Sequence, residues 1–275
     1  MNKTFLAALA ALVCSCTSLP SLKETVTIEG SKGLLVGDIE RPEIKGGKAP
    51  VVIICHGLTG YRTEWHLNAV NDSLVAHGIA TVRFDFNGHG QSEGAFSEMT
   101  LQNELEDLNK IYEYTASLPW VDKSRIAVAG HSQGGFLTGV FAGDSGKGKV
   151  RCAILLAPAA CIHTMAVEGT FFGAPTALEN MPDSIPFWGG RMLGKKYLEV
   201  AQEIDVFTRT AAYDGPALIV QGDKDDPWLF RDAKKYSEYV KDLEYVELPG
   251  LTHCFPEDLA APARLTTEFV LKNFR

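Results

Sequence analysis

The sequence has few basic residues, no basic cluster and no apolar run long enough to span a bilayer. Its 275 residues carry 26 Lys and Arg against 34 Asp and Glu, a formal net charge of −8. Proteins that track a phosphate backbone concentrate Lys and Arg on one surface, so we expect no nucleic-acid partner. A membrane-spanning helix needs about 20 consecutive apolar residues, and the apolar run at residues 5–13 is much shorter.

The six cysteines lack the spacing of a disulfide scaffold or of a zinc site. Two of them lie in the N-terminal segment, and the others read as small core or near-site residues. The glycine-rich segment at residues 84–94 (FDFNGHGQSEG) has neither the glycine spacing nor the Walker lysine that bind phosphate groups. The sequence therefore implies neither a metal nor an organic cofactor.

The first 15 residues have the layout of a secretory signal, with a positively charged start, an apolar run and small residues. The segment resembles a bacterial lipoprotein signal, in which cleavage behind Ser15 leaves Cys16 as an acylated, membrane-anchored first residue. Cys14 is the alternative acylation site, and residues 16–23 would form a leader. We expect an exported periplasmic or cell-envelope lipoprotein, with secretion without a lipid anchor as the alternative.

Apolar runs of strand length alternate with amphipathic segments of helix length over the rest of the chain. This pattern is typical of a mostly parallel central sheet with helices on both faces. The length fits one α/β domain, at residues 24–275. The predicted strands are residues 24–29, 34–40, 51–55, 79–84, 125–129, 152–157, 217–220 and 243–248, and the predicted helices are residues 63–77, 101–118, 133–142, 229–241 and 256–273.

One interval, at about residues 159–214, contains no clear core strand but is rich in aromatic residues, methionine and proline. A structureless loop of that length is unusual in a compact domain. The interval is therefore predicted to be an inserted cap after the sixth strand.

The segment Gly130-His131-Ser132-Gln133-Gly134 joins a predicted strand to a predicted helix. A serine in a GxSxG segment at such a turn occupies a strained elbow, where a Cβ on either glycine would collide with the neighbouring strand or helix. The hydroxyl is then exposed above the sheet, with the helix N-terminus behind it. Because α/β-hydrolases present their nucleophile in this way, the segment predicts an α/β-hydrolase fold with Ser132 as the nucleophile.

A serine hydroxyl needs a base near neutral pH, and His253 is the candidate among seven histidines. It follows the last predicted strand, so it is expected at the same sheet edge as Ser132. The orienting acid should follow the strand at residues 217–220, where three carboxylates are available. We assign Asp225, with Asp226 as the alternative, and the two that are not used should form turns or helix caps.

The negative charge of a tetrahedral intermediate needs preorganised donors. One should be the backbone N–H of Gln133, and the other, from the loop after the third strand, is assigned to the N–H of Leu58. His56 and His131 flank these two donors. They are candidates for shaping the substrate pocket, although packing alone would also explain them.

Together, these stretches resemble the cinnamoyl/feruloyl esterase group of the α/β-hydrolases. The segments that carry the resemblance are HGLTG (56–60), VRFDFNGHG (82–90), GHSQGG (130–135), LLAPAA (155–160), GDKDDP (222–227) and HCF (253–255). The resemblance implies the triad Ser132, Asp225 and His253 and the oxyanion donors Leu58 and Gln133.

The resemblance also implies that the inserted cap closes over an aromatic acyl group. Tyr197 matches a position that hydrogen-bonds phenolic hydroxyls in that family. An acidic partner of this tyrosine would be expected near Met165, a candidate substrate-binding position, and Glu168 or His163 could take its place.

The predicted function is that of an exported serine carboxylesterase, which cleaves hydroxycinnamate or related aryl and short-acyl esters through an acyl-enzyme on Ser132. The expected partner is a small-molecule or plant cell-wall ester. A second hypothesis is another reaction of the same triad, such as acetyl-polysaccharide deacetylation, acyl transfer or peptide hydrolysis. A third is a surface binding protein without catalysis, which would have no need for an elbow serine with its base.

Overall fold

The computed structural model describes residues 20–43 and 47–275. The signal segment and the lipidation candidates Cys14 and Cys16 lie outside the described residues, so export and acylation stay predictions. In the described part of the chain, no helix combines the length and apolar character needed to cross a bilayer.

The strands alternate with helices as the sequence predicts. The strands are β1 (Ser21–Glu29), β2 (Leu34–Pro42), β3 (Ala49–Cys55), β4 (Ala80–Phe84), β5 (Val121–His131), β6 (Ala153–Leu156), β7 (Thr170–Phe171), β8 (Ala174–Pro175), β9 (Ser184–Phe187), β10 (Arg191–Gly194), β11 (Ala217–Gly222) and β12 (Leu243–Leu248). The helices are α1 (Trp65–Ala76), α2 (Leu101–Ser117), α3 (Gln133–Ser145), α4 (Cys161–Glu168), α5 (Lys195–Glu203), α6 (Val206–Ala211), α7 (Pro227–Lys235) and α8 (Ala260–Asn273).

Eight strands form one sheet in the order β1-β2-β4-β3-β5-β6-β11-β12. The pairings β1–β2 and β2–β4 are antiparallel, and those from β4 to β12 are parallel. The predicted mostly parallel sheet of an α/β-hydrolase fold is therefore confirmed. Because the central strands run in the same direction, their carboxyl ends lie at one edge, where sites form in open α/β sheets.

The central sheet is buried on both faces, which explains its continuous apolar strands. In β3, Val51 and Ile53 belong to one core and Val52 and Ile54 to the other, as the twofold periodicity of a strand requires. Side chains of α2 and α3 complete the first core, and those of α1 and α8 complete the second.

The region between β6 and β11 has no strand in the main sheet among its residues, all of which the structure describes. Strand β7 pairs with β8 and β9 pairs with β10, each as an isolated antiparallel pair. Helices α4 and α5 pack against each other in the same region. These small elements make up the interval predicted to be a cap, and aromatic side chains of this cap segment join the core on the α2 and α3 side of the sheet.

Three helices begin away from their predicted starts: α1 begins at Trp65 instead of 63, and the other two begin next to an aspartate that accepts from their first N–H groups. Helix α7 begins at Pro227 instead of 229, because the Asp226 carboxylate accepts a hydrogen bond from the Trp228 N–H at 3.0 Å and proline suits the first position. Helix α8 begins at Ala260 instead of 256, and Asp258 accepts hydrogen bonds from the first helical N–H groups. Strand β1 begins at Ser21, inside the segment expected to be a leader.

Candidate active site

Ser132 lies at the turn between β5 and α3 with a φ of 57° and a ψ of −120°, a backbone conformation that residues with a side chain rarely adopt. A non-glycine residue with such a backbone stores about 1–3 kcal/mol of strain, and its surroundings must hold it there. The Ser132 N–H donates to the Leu156 carbonyl at 2.9 Å. A Cβ on Gly130 would overlap the Gly134 carbonyl, and one on Gly134 would overlap the Cys55 carbonyl. The close packing of the predicted elbow is therefore present.

Three side chains from distant parts of the chain meet at the carboxyl edge of the sheet. His253, on the loop after β12, has its Nε2 2.9 Å from the Ser132 Oγ. Its Nδ1 lies 2.9 Å from the Asp225 Oδ2. Because Asp225 is buried and accepts from Nδ1–H, Nε2 is left free to accept the serine proton, which is the geometry of a Ser-His-Asp triad.

The structure distinguishes between the three candidate carboxylates. Asp225 accepts hydrogen bonds from the Gln221 side-chain amide and from the Asp226 N–H, both at 2.7 Å, in addition to His253. Asp226 caps α7, and Asp223 accepts from the Gly250 N–H at 2.7 Å. Only the Asp225 carboxylate is therefore in contact with the imidazole.

The two proposed oxyanion donors flank the nucleophile. Gln133 directly follows Ser132 at the start of α3, and Leu58 lines the same pocket as Ser132. The Leu58 loop lies directly against the serine, since a Cβ on Gly57 would be 2.9 Å from the Ser132 Cβ. Among the described residues, neither the Leu58 N–H nor the Gln133 N–H is bonded to a backbone or side-chain acceptor, so both are available to an oxyanion.

His56 and His131 both support the site from buried positions. The His56 Nε2 accepts from the Phe86 N–H at 3.0 Å, so its Nδ1–H donates to the Gly57 carbonyl at 2.8 Å, next to Leu58. Burial lowers the pKa of His56 to about 4. The His131 Nε2–H donates to the His253 carbonyl at 2.8 Å, and burial lowers the pKa of His131 well below its ordinary value. Both rings are therefore neutral near pH 7.

The four predicted substrate-binding side chains differ in their access to the pocket. His131 lines it, whereas His56, Met165 and Tyr197 are not among its lining residues. Met165 packs in the core, and the fully buried Tyr197 donates its hydroxyl to the Gln133 Oε1 at 2.5 Å. This hydrogen bond directs the tyrosine hydroxyl toward the protein, and contact of Tyr197 with a substrate stays a prediction.

Among the described residues, neither candidate partner of Tyr197, Glu168 or His163, forms a hydrogen bond with its hydroxyl. Glu168 is exposed at the end of α4. The His163 Nδ1 lies 2.9 Å from the Ala201 carbonyl, which ties α4 to α5 within the cap.

A buried chain of polar side chains behind Gln133 was not foreseen from the sequence. Tyr197 of α5 bonds the Gln133 side chain, whose amide in turn donates to the Glu104 Oε2 of α2 at 2.5 Å. Burial, together with the Asp107 carboxylate, raises the pKa of Glu104 well above its ordinary value. The chain therefore joins the cap to the residue whose N–H is the proposed oxyanion donor.

We expect the Tyr197→Phe variant to be less stable by about 1–3 kcal/mol, because the Gln133 Oε1 would remain buried without a donor. Chemical denaturation, compared with the wild type, measures this difference. Tyr239→Phe is the matched control, since Tyr239 is exposed and surface changes are usually within about 0.5 kcal/mol. An equal, negligible effect of both substitutions would show that the buried hydroxyl contributes nothing.

The pocket above Ser132 has a volume of about 240 Å³. This is smaller than the roughly 300–1,000 Å³ typical of sites for drug-sized ligands. Its lining residues are Gly57, Leu58, Thr59, Glu64, His131, Ser132, Ala159, Ile162, Phe172, Trp188, Leu229, His253 and Cys254. Within the described part of the chain, no group of His, Cys, Asp and Glu side chains could hold a metal ion.

The chain matches a family of known hydrolases. A sequence model described as serine aminopeptidase S33 (Hydrolase_4) covers residues 47–185, about half of the chain. The structure is similar to that of Est1E from Butyrivibrio proteoclasticus with ferulic acid bound, with a TM-score of 0.85 and 34% sequence identity. That similarity covers 90% of this chain and 98% of Est1E.

Two curated relatives match over shorter stretches. An uncharacterized 31.7 kDa protein of Escherichia coli, from the traX-finO intergenic region, is 29% identical over 107 residues, which are 39% of this chain and 36% of that protein. The esterase FrsA of Yersinia pestis is 30% identical over 111 residues, 40% of this chain and 26% of FrsA. Each alignment spans well under half of the relative.

The likeness to Est1E over nearly the whole chain confirms the resemblance to feruloyl esterases that the sequence motifs indicated. The family match, the fold and the elbow serine agree with one another. The chain therefore belongs to the serine aminopeptidase S33 (Hydrolase_4) family of α/β-hydrolases, and it is a serine hydrolase of the feruloyl-esterase-like type.

Proposed function

We propose that this protein is a carboxylesterase that hydrolyses hydroxycinnamate or related aryl and short-acyl esters through an acyl-enzyme on Ser132. The observation that carries the proposal is the continuous contact from the Ser132 Oγ through His253 to Asp225 at the base of an apolar pocket. The likeness to Est1E, whose structure contains ferulic acid, supports an aromatic acyl group.

In the first half of the reaction, the Ser132 Oγ attacks the ester carbonyl carbon while His253 Nε2 takes its proton. The carbonyl oxygen becomes an oxyanion, which the N–H groups of Leu58 and Gln133 stabilise. The carbon–oxygen bond to the alcohol then breaks, and the leaving oxygen takes the proton from His253. Asp225 stabilises the imidazolium throughout this step.

In the second half, water takes the place of the alcohol. His253 Nε2 removes a proton from this water as its oxygen attacks the acyl carbon, and the Ser132 Oγ leaves with that proton. The products are the free acid and the original enzyme, so atoms and charges balance without a cofactor.

The cap supplies the wall on which an acyl group would pack. The cap contributes the apolar residues Ala159, Ile162, Phe172 and Trp188 to the pocket lining, and Leu229 of α7 adds to this wall. An aromatic acyl group buried there is stabilised by about 25 cal/mol per Å² of apolar surface removed from water. We also propose that the reaction takes place outside the cytoplasm, because the first 15 residues resemble an export signal.

A panel of substrates tests the proposed specificity. We expect the highest kcat/KM with methyl ferulate, a lower value with p-nitrophenyl acetate, and no turnover of acetylated xylan or of an aminoacyl p-nitroanilide. The anilide is included because the matching family model is described as an aminopeptidase. Hydrolysis of the anilide or of acetylated xylan in preference to methyl ferulate would overturn the proposed acyl specificity.

Labelling of Ser132 by a fluorophosphonate shows whether the serine is reactive, independently of which ester the protein hydrolyses. A protein that reacts with the fluorophosphonate but leaves methyl ferulate intact is a serine hydrolase with another substrate. A protein that does neither would support the hypothesis of a binding protein.

A further inference from the structure

The pocket above Ser132 has two chemically different sides. The cap side is apolar, whereas the side formed by the loop after β3 and the loop after β12 contains Thr59, Glu64 and Cys254. Glu64 carries the one carboxylate among the described lining residues. The triad does not use it, and the sequence motifs gave no indication of it.

The Glu64 carboxylate is held over the loop that contains the Leu58 donor. A Cβ on Gly60 would lie 2.5 Å from the Glu64 Oε2, and the same oxygen is 3.9 Å from the His66 Nε2. Glu64 occupies the position before α1, but its side chain makes no capping hydrogen bond to that helix. The carboxylate is therefore placed at the pocket without serving the usual structural role of an acid at this position.

The described residues that line the pocket include no Lys or Arg. None of them therefore carries a permanent positive charge that would neutralise Glu64. Burial, with a minor contribution from His253, lowers the pKa of the neighbouring His66 to about 4, so that ring is neutral near pH 7. Burial also raises the pKa of Glu64, and the Tyr61 backbone N–H and His253 oppose this shift. When Glu64 is ionised, its charge gives this side of the pocket a negative potential, because the lining contains no Lys or Arg to offset it.

The side that contains Glu64 is the side of the leaving alcohol. His253 must protonate the departing oxygen, so the alcohol lies near the imidazole rather than under the cap. Glu64 lines the same pocket as His253 and Cys254, the two pocket residues of the loop after β12. The acyl group, by contrast, is expected against the apolar wall of the cap.

We propose that Glu64 determines the specificity for the alcohol part of the ester: it accepts hydrogen bonds from hydroxyl groups of the leaving alcohol and disfavours alcohols that carry a carboxylate. This inference rests on the proposed esterase function and deepens it. The favoured substrates are esters of neutral polyhydroxy alcohols, such as glycerol or a sugar. The disfavoured ones are esters of hydroxy acids, because two like charges within one pocket repel even at a moderate effective dielectric.

The test compares three esters of ferulic acid at pH 8, those with glycerol, glycolamide and glycolate. Glycolamide is the neutral counterpart of glycolate. The kcat/KM of each ester is divided by its rate of alkaline hydrolysis, which corrects for the intrinsic reactivity of the ester. The ratio of the two corrected values then isolates the effect of charge. We expect the wild type to disfavour the glycolate ester about tenfold or more by this measure. The Glu64→Gln variant should hydrolyse both at the same corrected rate.

Glu238→Gln is the matched control, because it removes the same charge from an exposed residue that does not line the pocket. It should keep the discrimination of the wild type. The Glu64→Ala variant should lose both the discrimination against glycolate and any preference for the glycerol ester over the methyl ester. The wild-type measurement needs no variant, so it can overturn the inference even if a Glu64 variant does not fold.

An equal corrected rate for glycolate and glycolamide esters in the wild type would overturn the inference. So would a discrimination that Glu64→Gln leaves unchanged. If the wild type hydrolyses none of these esters nor methyl ferulate, the proposed function fails instead, and the two failures are thereby distinguished.

Discussion

Replacing Ser132 with alanine is expected to reduce kcat for methyl ferulate by about 10⁴–10⁶-fold and to leave the protein folded. The loss is large because the nucleophile, base and acid of a triad act as one unit, and the remaining donors and pocket retain only a small residual catalysis. The substitution removes the Oγ that lies 2.9 Å from His253 and changes no element of the core.

Single-turnover and steady-state assays with methyl ferulate measure this loss, and a fluorophosphonate probe should no longer label the protein. Ser237→Ala is the matched control, because Ser237 is exposed in the short helical turn after α7. It should leave activity, labelling and unfolding temperature unchanged. Retention of more than a few per cent of the activity in Ser132→Ala would assign the nucleophile to another residue.

Most of the architecture could be predicted because its signals are local. A buried parallel strand such as β3 is a continuous apolar run, and the amphipathic helix α2 has an apolar face. The elbow serine could be identified because GxSxG between a strand and a helix is itself a local constraint. Its base, His253, followed from the order of the strands, since the loop after the last parallel strand opens at the same edge.

The choice among the carboxylates depended on information that is not local. Asp223, Asp225 and Asp226 all fit the loop after β11, and only the packing of this loop against the loop after β12 decides which of them meets His253. The capping role of Asp226 had a sequence signal, a proline directly after it. That signal argues against Asp226 alone, and the choice between Asp223 and Asp225 needed the structure.

The buried polar chain behind the site could not be assembled from the sequence. Tyr197, Gln133 and Glu104 come from three helices, and their hydrogen bonds depend on how the cap sits on α2 and α3. One signal was nevertheless present. Glu104 lies between Leu101 and Leu108 on the apolar face of α2, and a charged residue on such a face requires a buried partner.

The place of Glu64 in the pocket could not be predicted from the sequence for a different reason. It precedes the first turn of a helix, where an acidic residue is ordinarily explained by capping or by the helix dipole. In the structure, the Glu64 side chain makes no capping hydrogen bond and lines the pocket. These two observations rule out capping as its role. Side-chain direction at a helix start is set by the preceding loop, here the tight turn at Gly57 and Gly60.

Substitution of Asp225 by asparagine is expected to lower kcat for methyl ferulate by about 10⁴-fold, the magnitude known for loss of the acid in a triad. An amide can donate to His253 Nδ1, and this favours the tautomer in which Nε2 carries the proton and cannot accept one from Ser132. Asp225 also accepts two further hydrogen bonds, from Gln221 and from the Asp226 N–H. Some loss of stability is therefore expected as well.

Asp226→Asn is the matched control, because it changes the same atoms one residue away. Asparagine is as good a helix N-cap as aspartate, and the backbone N–H that bonds Asp225 is retained. We expect this variant to keep its kcat and its stability within about 0.5 kcal/mol. Steady-state kinetics and chemical denaturation of both variants measure the contrast. The reverse order, a large loss of kcat in Asp226→Asn with Asp225→Asn nearly active, would transfer the role of the acid to Asp226 and would require the loop after β11 to turn its other carboxylate toward the imidazole.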